Sequence, residues 1–289
     1  MKAELVTDCR DWHGEGLFWS AEHGLLFWTD IFGQRVSTYD PARRELQSYK
    51  VPGRVCAFAV RKGRPWREVV AAFADGFAFL DLATGEHEYI ARLDSEKPGV
   101  RMNDGRTDRQ GRFIVGGMEE ESERPIASVF RLDPDLTIRR LFDGVGCANS
   151  TCFSPDGRTM WFADSPRRAI EAFDYDIATG IPSNRRIVAR TKGIPDGSCV
   201  DSEGYVWNAV WKGGRVDRYA PDGRLEQTIE VPVNKVTCVA FGGADLDTLF
   251  VTTSRYDESE ADLARQPTAG SLYAVKPGVR GLSDAPYAG

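Results

Sequence analysis

One phrase recurs along this chain at a nearly constant interval, and the recurrence limits the fold more than any other feature. Its copies begin at Asn103-Asp104-Gly105, Asn149-Ser150-Thr151 and Asp196-Gly197-Ser198, so the starts lie 46 residues (103 to 149) and 47 residues (149 to 196) apart. Each copy runs through a short, mostly apolar stretch into a turn: Asp108-Arg109-Gln110-Gly111, Ser154-Pro155-Asp156-Gly157 and Asp201-Ser202-Glu203-Gly204. A second strand-like run follows, such as Tyr205 to Val210. Alternating apolar residues between turn signals predict a β-hairpin. The stretch Gly193-Ile194-Pro195-Asp196-Gly197 reads as the turn that opens one of them, with Asp196 at the mouth of the first strand.

The rest of the chain repeats this plan. Leu25 to Asp30 and Arg35 to Asp40 read as strands, as do Val55 to Val60, Val69 to Phe73 and Phe77 to Asp81. The third unit opens at Arg101-Met102-Asn103 and closes at Val129 to Asp133; Glu119 to Pro125 between them reads as a loop. The fourth closes at Ala169 to Asp174 and the fifth at Gly214 to Tyr219. The sixth runs from Val236 to Val275. Six such units over 289 residues average about 48 each, within the range of blade repeats. The expectation is all-β: a six-bladed β-propeller, one domain over residues 1–289, with four-stranded antiparallel blades around a central channel. A β-sandwich offers no reason for the turn phrases to repeat in phase. Helical periodicity is weak, and its best stretch, Ser259 to Arg265, reads as a loop insertion.

Composition removes several classes of function. A net charge of −6 and a pI near 5.3 argue against a nucleic-acid partner, which would require a basic face. No apolar run approaches the ~20 residues of a membrane span, so no membrane partner is expected. Met1 to Asp11 lacks the apolar core of a secretory signal. The six cysteines, Cys9, Cys56, Cys147, Cys152, Cys199 and Cys238, have no metal-type spacing. These features together predict a reduced, soluble, cytoplasmic protein.

In a propeller the first strand of every blade lines the channel, so residues at one phase of the repeat converge there. Glu15, Asn103, Asn149 and Asp196 share that phase. Carboxylates and amides crowded on one axis are costly unless a cation neutralises them. An all-oxygen set suits a hard divalent ion such as Ca²⁺ or Mg²⁺. The three histidines, His13, His23 and His87, form neither a metal cluster nor a Ser-His-Asp arrangement. Asn, Asp and Gly also serve turns for backbone reasons; Asp108, Asp156 and Asp201 read as hairpin-turn residues, and Asp30, Asp164 and Asp174 as strand-end or inter-blade hydrogen bonders. Trp12, Trp19, Trp207 and Trp211 read as blade core, with Trp211 and Lys212 able to reach the rim.

Over nearly its full length the chain resembles the senescence marker protein/gluconolactonase/regucalcin family of six-bladed propeller lactonases. The resemblance rests on His13-Gly14-Glu15-Gly16 with Trp19, Arg101-Met102-Asn103-Asp104-Gly105 with Gly111-Arg112, Asn149 with Ser154-Pro155-Asp156-Gly157, and Pro195-Asp196-Gly197 with Asp201 and Gly204. It implies that Glu15, Asn149 and Asp196 hold one divalent metal: Ca²⁺ first, with Zn²⁺, Mg²⁺, Mn²⁺ and Fe²⁺ as other candidates. It further implies that Arg101 and Asn103 contact substrate and that Asp196 doubles as catalytic base. An acidic substrate contact follows a Gly-Thr-Met phrase in the family; here the phrase is Gly116-Gly117-Met118 and the matching acid is Glu121. Leu17 stands where the family usually has proline. The implied activity is opening of a sugar-acid lactone of the gluconolactone kind. The alternative is a calcium-binding regulator of the regucalcin type without turnover. A third class, a scaffold that binds proteins on its rim, would not require a charged channel.

Overall fold

The computed structural model describes residues 1–94 and 97–289. Among the described residues twenty-four strands form six four-stranded antiparallel sheets, a six-bladed β-propeller. In five sheets the strand order follows the chain: 14–50, 55–92, 100–145, 148–190 and 194–230. We number these blades 1 to 5.

The sixth blade is assembled from both ends. Val236–Gly242, Thr248–Thr253 and Leu272–Val275 come from the C-terminal side, and Glu4–Thr7 pairs antiparallel with Leu272–Val275 as the outermost strand. The sequence reading found only the first three of these strands. Glu4–Thr7 has no turn phrase beside it, and only the ring brings it to its partner. Closure in this way ties the two ends of the chain into one blade, and the ring leaves only short, protected strand edges.

Burial explains which strands were legible. Val55–Val60 and Ala148–Phe153 are buried at every residue, so they read as apolar or small runs. The outer strands, such as Glu45–Lys50 and Leu225–Glu230, face solvent and read as charged, irregular segments. Neighbouring blades share their apolar faces: Trp207 and Val216 of blade 5 pack with Val239, Phe241 and Tyr273 of blade 6.

All six inner strands carry a one-residue bulge against the second strand of their blade. Register shifts fall between Glu15 and Phe18, Val55 and Ala57, Met102 and Gly105, Asn149 and Cys152, Pro195 and Ser198, and Val236 and Val239. The expected turn at Pro195-Asp196-Gly197 is therefore corrected: the phrase lies inside the strand Ile194–Val200 and encodes its bulge. Asn, Asp and Gly suit both sites for one reason, since a bulge also needs unusual backbone angles. Gly16 has φ +59° and Ser150, not a glycine, has φ +60° in the same place.

Two smaller expectations also change. Glu260–Arg265 is a short helix, not a loop, capped by Ser259, whose Oγ accepts from the Asp262 amide at 3.1 Å. Trp12 is exposed and lies outside the core, while Trp19 and Trp207 are buried. The turn aspartates hold: Asp201 Oδ1 accepts from Glu203 and Tyr205 amides at 3.0 Å, and Asp108 Oδ1 from Gln110 and Arg112 at 3.0 and 2.9 Å. No described helix is long and apolar enough to cross a membrane.

The C-terminal segment straps the ring on the side away from the site described below. Gly281 donates to Leu246 O in blade 6, Ala288 to Gly111 O in blade 3, and Tyr287 to Val60 O in blade 2. Tyr287 is fully buried, and its hydroxyl donates to Asp133 O at 2.7 Å. Tyr287→Ala should cost about 3–5 kcal/mol, as for other buried aromatic truncations. Tyr287→Phe should cost only about 1 kcal/mol, the worth of one hydrogen bond. Urea unfolding of the two variants tests that order.

Candidate metal and substrate site

The bulges turn side chains into the mouth of the channel. Glu15 and Asn149 are the last paired residues before their bulges, and Asn103 and Asp196 the first residues within theirs. They line one cavity of about 260 Å³ together with Arg101, Glu120, Glu123, Ser165 and an aromatic group. A second cavity of about 230 Å³ lies around Arg106 and Asp284, and its arginine is already paired at 2.7 Å.

Glu15 and Asp196 are both buried at the channel mouth, and Glu15 Oε2 accepts from the Gly16 amide at 3.0 Å. Burial pushes Glu15 up to about 8, helped by the charge of Asp104. Burial also raises Asp196 well above the usual range, with Glu15 and Asp104 adding to it. Neighbouring like charges thus disfavour ionisation of both acids.

Asn149 Nδ2 donates to Ser165 Oγ at 2.9 Å, and Ser165 Oγ donates to Pro195 O at 2.7 Å. That chain orients the Asn149 amide, and among the described residues Oδ1 receives only a long 3.4 Å contact from Asn103 Nδ2. Ser150 Oγ and Asn208 Nδ2 hold the carbonyl of Asp196 at 2.6 and 3.1 Å. Bulging removes ladder partners from the carbonyls of Pro195 and Asp196, and these side chains replace them.

Among the described residues no cluster of three or more histidine, cysteine, aspartate or glutamate side chains is placed to hold a metal. The set here is two carboxyls and one amide oxygen. Its chemistry nevertheless fits a hard cation: every donor is oxygen, the acids are buried, and both are raised as acids lacking a counter-charge are.

Arg101 forms the cationic edge. Its Nη1 donates to Asn103 Oδ1 at 2.7 Å and Met102 O at 2.8 Å, and its Nε to Glu120 Oε1 at 3.0 Å. Among the described residues its Nη2 has no hydrogen-bond partner, leaving a fixed donor for a ligand. Asn103 is spent on Arg101, Asn149 and Ala148 O, so it sets the positions of its neighbours.

The expected acid, Glu121, is exposed and absent from the cavity lining; Glu120 and Glu123 take that place. Glu120 also pairs with Arg54 at 2.6 Å. Burial works to raise Glu120, but the Arg54 and Arg101 guanidiniums outweigh it and hold the carboxyl low. Three consecutive glutamates look alike in sequence, and only the end of the strand Phe113–Glu119 decides which one faces inward.

The chain is similar to known proteins along its whole length. A model of the SMP-30/gluconolactonase/LRE-like region matches residues 13–255. Regucalcin from Xenopus laevis is 36% identical over 299 residues, covering 100% of this chain and 99% of that protein. This chain belongs to the SMP-30/gluconolactonase/LRE-like family. Among solved structures, a calcium-binding protein, regucalcin, from Agrobacterium tumefaciens superposes with a TM-score of 0.92 at 30% identity, over 99% of this chain and 97% of that one. A gluconolactonase from Xanthomonas campestris shares the fold at a TM-score of 0.73 and 23% identity, over 93% of this chain and 87% of that one.

Within this SMP-30/gluconolactonase/LRE-like chain, sequence reasoning missed the supports of the site: Ser165, Ser150, Asn208 and Glu119. Ser165, Asn208 and Glu119 sit in no phrase that repeats, and Ser150, which does, carries neither a carboxyl nor an amide there. Glu119 is buried, and its carboxylate accepts from the Ser122 amide at 2.9 Å, the Arg124 amide at 3.2 Å and Arg124 Nη2 at 3.2 Å. It thereby shapes the loop that carries Glu120 and Glu123. The Ser122 amide foremost holds Glu119 down to about 2 from an ordinary 4.5. Its folded-state pKa is depressed, so its contribution is complete above pH 4.5 and is lost as pH falls towards 2. Denaturation measured across that window should show a shallower pH slope in Glu119→Gln than in the native protein.

Proposed function

We propose that this protein is a metal-dependent lactonase that opens a sugar-acid lactone to the hydroxy acid. The observation that carries this reading is the Glu15, Asp196 and Asn149 oxygen set beside the free Nη2 of Arg101 in one cavity. Glu15, Asn149 and Asp196 would hold the cation, Ca²⁺ first, with Zn²⁺, Mg²⁺, Mn²⁺ or Fe²⁺ as alternatives. When bound, it supplies a Lewis acid for the ester carbonyl and the positive charge that lets both acids ionise.

The protein's own groups do the rest. Arg101 Nη2 and Glu120 orient the lactone through its oxygens. Asp196 takes a proton from the attacking water as the water oxygen bonds to the carbonyl carbon. The ring C–O bond then breaks, and Asp196 returns that proton to the departing alkoxide. The product leaves as a hydroxy carboxylate, with one proton released to solvent. Unpaired thiols at all six cysteines suit the reducing cytoplasm.

A second reading follows from the relatives named regucalcin, one of them described as a calcium-binding protein. Under it the same oxygens bind Ca²⁺ without turnover. Acid release from a lactone panel separates the two, because a regulator binds the ion and hydrolyses nothing.

Chelation should abolish lactone hydrolysis and readdition of a divalent ion should restore it; full activity after exhaustive metal removal overturns the metal requirement. Asp196→Asn should lower kcat about 10²–10⁴-fold at saturating metal, the usual cost of losing a general base. Its metal affinity should fall less steeply, since an amide oxygen remains. Asn149→Ala should instead be partly rescued by excess metal. Near-native turnover in Asp196→Asn would move the base to Glu15.

A further inference from the structure

The cavity that holds the oxygen donors has an aromatic wall that the proposed chemistry does not use. Phe32 and Tyr256 are stacked at 4.3 Å and 22°, His13 lies 5.5 Å from Phe32, and Trp211 meets His13 edge-on at 5.5 Å. Met118 and Ile194 complete the apolar lining. Blades 1 and 5 and the loop after Thr253 each contribute a ring, so the wall is assembled by the tertiary fold.

None of the rings is fully buried, although Phe32 packs at the edge of a core cluster. Tyr256 is 42% exposed, and Phe32, His13 and Trp211 are half-buried. Water-facing rings are unfavourable, yet the loop that presents Tyr256 is held in place. Lys235, itself buried, donates from Nζ to the carbonyls of Tyr256 and, at 2.8 Å, of Asp257. Ser254 Oγ accepts from the Tyr256 amide at 3.0 Å and donates to Trp12 O at 2.8 Å. A contiguous apolar face kept open beside convergent polar groups is the form of a ligand subsite.

The wall also limits the chemistry of what lies on it. Ser254 spends its hydrogen on Trp12 O, so its 2.9 Å contact with His13 Nδ1 requires the hydrogen to be on Nδ1. Nε2 is then a bare acceptor with no partner among the described residues. That nitrogen, the Tyr256 hydroxyl and the Trp211 indole N–H are the polar atoms the rings offer. A polyol laid across the wall would give up water at several hydroxyls and regain few bonds. A flat unsaturated face would lose nothing and gain ring stacking.

We propose that Phe32, Tyr256 and Trp211 form a specificity subsite for lactones that carry a planar aromatic group beside the ester, with His13 Nε2 accepting from one hydroxyl or N–H of that group. This rests on the lactonase reading for its chemistry and adds the substrate's second half.

The test compares isochroman-3-one, an aryl-fused δ-lactone, with δ-gluconolactone on the cation-loaded full chain. Both release an alkyl alkoxide, so leaving-group acidity does not separate them. The native protein should open isochroman-3-one with the lower KM. Phe32→Ala should lower the kcat/KM ratio of aryl to sugar lactone about tenfold, through KM, as loss of a pocket contact does. Tyr256→Ala, on the exposed loop, should do the same and guards against a folding defect in the first variant. Equal losses on both lactones would make the wall mere packing and overturn the proposal. Opening of gluconolactone with neither turnover nor binding of isochroman-3-one would overturn it while leaving the lactonase reading intact. Should neither lactone be opened, the lactonase reading fails, and calorimetric binding of 2-(hydroxymethyl)phenylacetate decides the wall: binding weakened by Phe32→Ala supports it, and no binding overturns it.

Discussion

Crowding of acids in the neck of a narrow channel is the constraint around which this molecule is arranged. Glu15, Asp196 and Asp104 are all buried there, and burial raises the pKa of each. Three carboxyls so placed would expel one another if all were ionised. The fold answers in two ways. Glu15 and Asp196 are both pushed towards their protonated forms, and the charge of Arg106 compensates that of Asp104. Arg106 also donates to Leu17 O of blade 1 and Ser198 O of blade 5, both at 3.2 Å, so one guanidinium ties two inner strands across the channel.

That arrangement needs a rigid ring, and its rigidity comes from the periphery. The N-terminal strand closes blade 6, and the C-terminal strap pins blades 2, 3 and 6 from the opposite face. Asp284 of the strap pairs with Arg106 at 2.7 Å, so the strap also completes the charge balance of the channel. The upper mouth, by contrast, carries polar atoms with spare capacity: Arg101 Nη2, His13 Nε2 and the weakly engaged Asn149 Oδ1. On the lower face the second cavity's arginine, Arg106, is already paired with Asp284 of the strap. Spare polar capacity is therefore greater at the upper end.

The bulges join the fold to the site. One extra residue in each inner strand releases backbone carbonyls from the ladder and re-aims side chains into the channel. Ser150, Ser165 and Asn208 then take up the freed carbonyls around Asp196. The atoms that stabilise the bulge are thus the atoms that orient Asn149 and Asp196, and stability and geometry cannot be altered separately there.

Repetition made much of this legible from residues alone. The 46- and 47-residue spacing placed Asn103, Asn149 and Asp196 in phase, and phase in a closed ring means proximity. Inner strands were readable because burial on both faces demands apolar or small residues. The bulges hide behind the same residues that make turns: Pro195-Asp196-Gly197 has the composition of a turn, yet the strand pairs Pro195 with Val210 and Ser198 with Asn208 on either side of the bulge. Charged outer strands have no sequence period that separates them from loops. Glu120 could be told from Glu119 and Glu121 only by where a strand ends. The closing strand, the strap, Ser165 and the wall of Phe32, Tyr256, Trp211 and His13 depend on contacts between segments far apart in the chain. Local pattern records what each segment buries, whereas only the closed ring decides what each segment meets.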